Sequence, residues 1–107
     1  MPLPPALSPE QRAAALEKAA AARRQRAELK DKLKMGSLTL RELLDQAERD
    51  EVVAKMKVVA VLESLPGVGK VKARRLMEEV GISETRRVQG LGEKQRKTLF
   101  EKLEGTS

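Results

Sequence analysis

From Pro9 to Met35 the chain contains no glycine and no proline after the first residue, and Gly36 ends the run. Ser8 precedes it as a helix cap, Pro9 suits the first helical position and Gln11 completes a capping box. The pattern predicts one helix over 9–35, about 40 Å long at about 1.5 Å per residue. Its first half is rich in alanine, which favours helix but offers little surface to bury. Residues 9–27 are therefore expected to project into solvent, and Leu29 and Leu33, one turn apart, to anchor the end to a body. A chain of 107 residues leaves room for one small domain beyond this helix.

The rest reads as helix too. Thr39 caps a second segment and Glu42 closes another capping box, with Leu40, Leu43, Leu44 and Ala47 on one face. Val52, Val53, Met56, Val59 and Ala60 continue the three-and-four spacing, widened by Val58, Val61 and Leu62. The spacing predicts a single central helix over 51–64. A helix over 69–80 is expected to turn Val71, Leu76, Met77 and Val80 inward and to end at Gly81. Ser83 can cap one further helical turn, and a last helix over 93–104 uses Leu99, Phe100 and Leu103. The fold class is all-α with no strand. The expected organisation is a loose terminus at 1–8, a long basic Ala-rich helix at 9–35, a compact helical head at 36–104 and a loose end at 105–107.

Between two of these helices lies Leu65-Pro66-Gly67-Val68-Gly69-Lys70-Val71. Two glycines around one apolar residue permit a very tight turn. Such a turn gathers backbone N–H groups at the start of the next helix, where unpaired donors and the positive dipole end suit a phosphate. Lys70, Lys72, Arg74 and Arg75 follow at once. Gly90-Leu91-Gly92 repeats the glycine–apolar–glycine pattern, and Arg86 and Arg87 stand between the two pairs. Arginine fits phosphate in a bidentate manner and enters narrow minor grooves. The reading is a helix-hairpin-helix element that grips a nucleic-acid backbone. The plain alternatives are a simple helix connector, and arginines that are merely solvated or that pair with Glu84.

Charge supports a polyanionic partner. The chain carries 22 basic and 16 acidic residues, a formal net of +6. Residues 1–35 and 65–107 are each net basic and the middle is mildly acidic. In the long helix Arg23, Arg26, Lys30 and Lys34 recur at three and four, a basic stripe that Glu28 and Asp31 partly offset. This stripe is a possible second DNA surface.

Several chemistries are excluded. Cysteine and histidine are absent, which removes disulfides, thiolate or imidazole catalysis and a zinc site of the usual kind. No metal, cofactor or small-molecule substrate is expected. No stretch reads as a secretory signal or a bilayer span, so no membrane role is expected. A P-loop would need glycine at Ser64 and Ser or Thr at Val71, and a dinucleotide loop would need glycine at Lys72. Glycosylase chemistry lacks an aspartate near the hairpin and aromatics to hold a flipped base. The chain is read as not an enzyme. Phe100 is the sole aromatic, leaving almost nothing on which unpaired bases could stack. Duplex DNA is the favoured partner, a structured RNA of the ribosome the runner-up, and a protein-binding adaptor the third reading.

Those residues carry a resemblance. Pro9 to Lys18, Lys55-Met56-Lys57-Val58, Leu62 to Val71 and Arg86-Arg87-Val88-Gln89-Gly90-Leu91-Gly92 together resemble the actinobacterial integration host factor family. The resemblance implies a small, all-helical nucleoid-associated protein with a long N-terminal helix and a helix-two-turns-helix head. It implies binding to double-stranded DNA with little sequence preference, bending or compacting it, with effects on supercoiling, recombination and transcription. It also implies contacts from Ser64, Pro66, Gly67, Val68, Gly69, Lys70 and Lys72, then Arg86, Arg87, Gln89, Gly90, Gly92 and Lys94. Relatives often carry a basic residue where this chain has Gln89. Apart from the resemblance, the chain is expected to be cytoplasmic and monomeric in solution, with the Ala-rich face of the long helix as the alternative route to self-association.

Overall fold

The computed structural model describes residues 8–105. Among them are six α-helices: α1 Pro9–Met35, α2 Leu40–Ala47, α3 Glu51–Ala54, α4 Val58–Ser64, α5 Gly69–Val80 and α6 Glu93–Gly105, with one 3₁₀ turn at Val88–Gly90. The expected loose stretch at 1–8 falls outside the described residues except for Ser8, which caps α1. Gly105 belongs to α6, one residue beyond the expected end.

Both predicted capping boxes are present. The Ser8 hydroxyl accepts from the Gln11 amide at 3.1 Å while the Gln11 side chain accepts from the Ser8 amide at 3.0 Å. Thr39 and Glu42 repeat the exchange, each bond at 3.1 Å. Residues 8–19 are exposed, and α1 meets the body through buried Leu29 and Leu33. Near this junction the Gln25 amide donates to Asp50, whose other oxygen accepts from the Val52 amide and caps α3. The long axis of the molecule, 54 Å, reflects this projection.

The head encloses one core. Leu33, Leu43, Val53, Val58, Val61, Leu62, Met77, Val88 and Leu99 are almost fully buried, and no polar or charged side chain is buried among the described residues. α4 packs mainly on α5, and α5 on α6.

Two expectations need correction. Residues 51–64 are not one helix: the chain breaks at Lys55-Met56-Lys57. There the backbone forms an isolated antiparallel bridge, Lys57 opposite Arg87. The Val58 amide donates to the Arg86 carbonyl at 3.0 Å, and the Val88 amide to the Met56 carbonyl at 2.9 Å. These bonds replace helical ones, and the density of valine, which loses side-chain freedom in a helix, lowers the cost of the break. Val71 is not inward but 76% exposed; Ala73, Leu76 and Met77 form the buried face of α5. Ser83 does cap a single turn: its hydroxyl accepts from the Thr85 amide at 3.3 Å and its carbonyl from the Arg86 amide at 3.0 Å, and the next helical element is the 3₁₀ turn at Val88–Gly90.

Candidate nucleic-acid interface

The hairpin loop has the conformation that its glycines allow. Gly67 and Gly69 have φ of 75° and 69°, a left-handed region costly for residues with a Cβ. α5 then begins at Gly69 with no side-chain cap, so the amides of Gly69, Lys70 and Val71 stand at an open helix start, in the helical turn that also carries Lys70 and Lys72. Ser64 is less available than its position predicts, because its hydroxyl donates to the Ala60 carbonyl at 2.8 Å. Val68 is half-buried against the core. Pro66, Gly67, Val68 and Lys72 also line an apolar groove with Leu38, Leu40 and Phe100. At its side the Arg41 guanidinium lies 4.8 Å from the Phe100 ring centroid.

The second glycine pair does not repeat the first. Gly90 and Gly92 lack positive φ. The Gly90 amide donates to Arg87 O at 2.9 Å, the Leu91 amide to Val88 O at 3.1 Å and the Gly92 amide to Gln95 Oε1 at 3.1 Å. The turn thus uses its own amides internally. What it leaves open is the first turn of α6, where Glu93 and Lys94 sit side by side. Gln95 Nε2 also donates to Gly81 O at 3.2 Å, tying this turn to the C-terminus of α5. The two glycine turns therefore stand at opposite ends of α5, whose 12 residues span about 18 Å.

The arginine turn lies at the other end of α4 from the hairpin loop, held by the bridge to residues 56–58. Glu84 does not neutralise it: that carboxylate meets Arg74 Nε at 3.4 Å. Among the described residues Arg86, Arg87, Lys70, Lys72 and Lys94 form no ion pair, and Gln89 is exposed. Arg86 instead donates from Nη1 to the Gly90 carbonyl at 3.1 Å.

The basic stripe on α1 divides. Arg26 and Lys30 line a groove together with Arg87, Lys55 and Lys57, with Met56 and Ala60 completing its walls. Arg23 and Lys34 are exposed and lie outside that lining. Sequence reasoning did not assign Lys55 and Lys57 to the site. Their signal was the pair of lysines flanking Met56, hidden while the segment read as continuous helix. Lys55 is partly engaged, with Nζ 2.7 Å from Glu51. The hydrogen bond and charge of Lys55 hold the Glu51 carboxyl below its ordinary 4.5.

A small all-helical head with two turns between helices, open amides and unpaired cations is a helix-two-turns-helix module, and residues 33–103 match the family model of the S13-like H2TH domain. Integration host factor of Mycolicibacterium smegmatis is 63% identical over 100 residues, covering 94% of this chain and 95% of that protein. Integration host factor of Mycobacterium tuberculosis is 64% identical over 99 residues, covering 92% and 94%. The Streptomyces coelicolor protein of the same name is 63% identical over 95 residues, covering 89% and 88%. A solved structure of sIHF bound to an 8bp palindromic DNA superposes with a TM-score of 0.78 at 56% identity, covering 80% of this chain and 97% of that one. The chain belongs to the integration host factor family that these actinobacterial proteins represent.

Proposed function

We propose that this chain is a nucleoid-associated architectural protein that binds double-stranded DNA with little sequence preference and bends or compacts it. Supercoiling, recombination and transcription would change as consequences of that deformation. The role is structural rather than catalytic. The observation that carries the reading is the set of cations without carboxylate partners, arranged on a rigid frame: Lys70 and Lys72 at the hairpin, Arg86 and Arg87 on the bridged turn. The relative bound to an 8bp palindromic DNA supports it.

In this reading the head, residues 36–104, is the binding unit and the helix at 9–35 its basic extension. The hairpin start of α5 holds one stretch of backbone through the amides of Gly69 and Lys70, with Pro66, Gly67 and Val68 shaping the approach. The turn of Arg86, Arg87, Gln89, Gly90 and Gly92, with Lys94 after it, meets a second stretch. Ser64 supports the loop rather than donating to phosphate. Arg26 and Lys30 extend the surface from Arg87 along α1, and Arg23 and Lys34 lie farther along the stripe. This extension matters energetically, since bending 20–30 base pairs costs about 1–6 kcal/mol.

The test is binding to matched DNA and RNA duplexes of about 30 base pairs across a salt series. Neutralising about five phosphates predicts a slope of roughly −4 to −5 in log affinity against log salt. Replacing Arg86 and Arg87 together by alanine should shallow it by about two units. Equal or tighter binding to RNA would overturn the chromosomal reading in favour of a ribosomal one, because A-form grooves differ in shape.

A further inference from the structure

We propose that Gly90 is a positioning residue for Arg86: the missing side chain at 90 is the space that the arginine occupies. The inference rests on the DNA-binding reading above and assigns Gly90 a role other than donating its own amide to phosphate. That amide is already used, donating to Arg87 O at 2.9 Å. Nor is glycine needed for conformation, since the φ of Gly90 lies outside the left-handed region. What does require glycine is proximity. A Cβ built at 90 would lie 2.8 Å from Arg86 Cδ and 3.5 Å from Nη1, the first distance being shorter than real Cβ contacts allow. The Gly90 carbonyl meanwhile accepts from Nη1 at 3.1 Å. Gly90 thus gives the Arg86 side chain room to lie against the turn while its carbonyl accepts from one guanidinium N–H, and the remaining N–H donors of this exposed arginine are available to a phosphate.

Arg86 is exposed, so a methyl group at 90 would displace its side chain rather than disturb the core. Gly90→Ala should therefore act on binding and not on folding. Duplex affinity should fall about five- to tenfold, the loss of one charge-assisted contact. The salt slope should shallow by about one unit, and Tm should move by less than about 3 °C. The decisive experiment is a double-mutant cycle on the full chain with a duplex of about 30 base pairs. Gly90→Ala, Arg86→Ala and the double variant should bind with the same weakened affinity and the same slope, because each removes the same contact. Gly90→Ala binding like the parent would overturn the proposal. So would a further loss when Gly90→Ala is added to Arg86→Ala, since Gly90 would then act without the arginine. An Arg86→Ala chain that binds as tightly as the parent would instead remove Arg86 from the interface, overturning that part of the DNA-binding reading and this inference with it.

Discussion

Met56 and Val88 are joined across the head: the Val88 amide donates to the Met56 carbonyl at 2.9 Å, and two residues on, the Val58 amide donates to Arg86 O at 3.0 Å. This pair of bonds fastens the arginine turn to the start of α4, the helix whose far end carries the hairpin loop. The spacing between the two cationic elements is thereby set by a rigid helix rather than by loops.

Val58→Pro tests that bridge selectively. Val58 is the first residue of α4, where proline is tolerated, and Lys57 already has φ −74° and ψ 137°, the conformation that a following proline demands. The substitution removes the donor to Arg86 O and should cost about 1–3 kcal/mol of stability, read by urea unfolding. It should also weaken duplex binding severalfold. Val58→Ala keeps the amide, so it should lose comparable stability without the same loss of affinity. Equal binding losses in the two variants would detach the bridge from function.

Glu51 sits against one of the groove lysines. Lys55 holds its carboxyl below the ordinary 4.5, so the pair is charged at neutral pH. A lowered folded-state pKa gives a stabilisation present above about pH 4.5 and lost as pH falls through the lowered value; exposure keeps it small. Glu51→Gln should free Lys55 and tighten duplex binding about two- to threefold at low salt, fading as screening increases. Isothermal titration in two salt concentrations checks this. Unchanged binding would place Lys55 outside the interface.

Leu33 and Leu16 lie on the same helix in opposite surroundings, fully buried and 64% exposed. Leu33→Ala should cost about 2–5 kcal/mol and lower Tm sharply. Leu16→Ala should stay within about 0.5 kcal/mol. Circular dichroism melts distinguish them, and similar losses would mean that the projecting half of α1 is packed in solution.

At Gly67 and Gly69 the space that a Cβ would fill is open, with no neighbouring atom within 4 Å, so only backbone strain opposes a side chain there. Gly69→Ala should destabilise the chain by about 1–2 kcal/mol. Gly69→Asn should cost less, because asparagine tolerates the left-handed region. Equal losses measured by chemical unfolding would show that space, not φ, limits this position.

Some elements were readable in the sequence because their signals are local. Capping boxes at Ser8 and Thr39, and glycines at 36 and 81, mark helix ends through residues three or four apart. The break at Lys55–Lys57 was not readable, because what ends the helix is the backbone of a distant segment, Arg86 to Val88. Val71 misled for the opposite reason: its apolar side chain fits the helical period while the small Ala73 takes the buried place. The hairpin loop of the candidate site was legible from composition. The junction of Arg87 with Arg26, Lys30, Lys55 and Lys57 depends on how α1 crosses the head, which no local pattern encodes.

Phe100 beneath Arg41 has a practical consequence. With no tryptophan or tyrosine in the chain, the protein is nearly silent in the near ultraviolet, and the absorbance of any complex there belongs to the nucleic acid. The groove that holds this ring is walled on one side by Pro66, Gly67 and Val68. A single Phe100→Trp would therefore install an indole fluorophore in the groove beside the hairpin loop, on an otherwise dark background, and its emission would report events in that groove, at the loop and at Arg41.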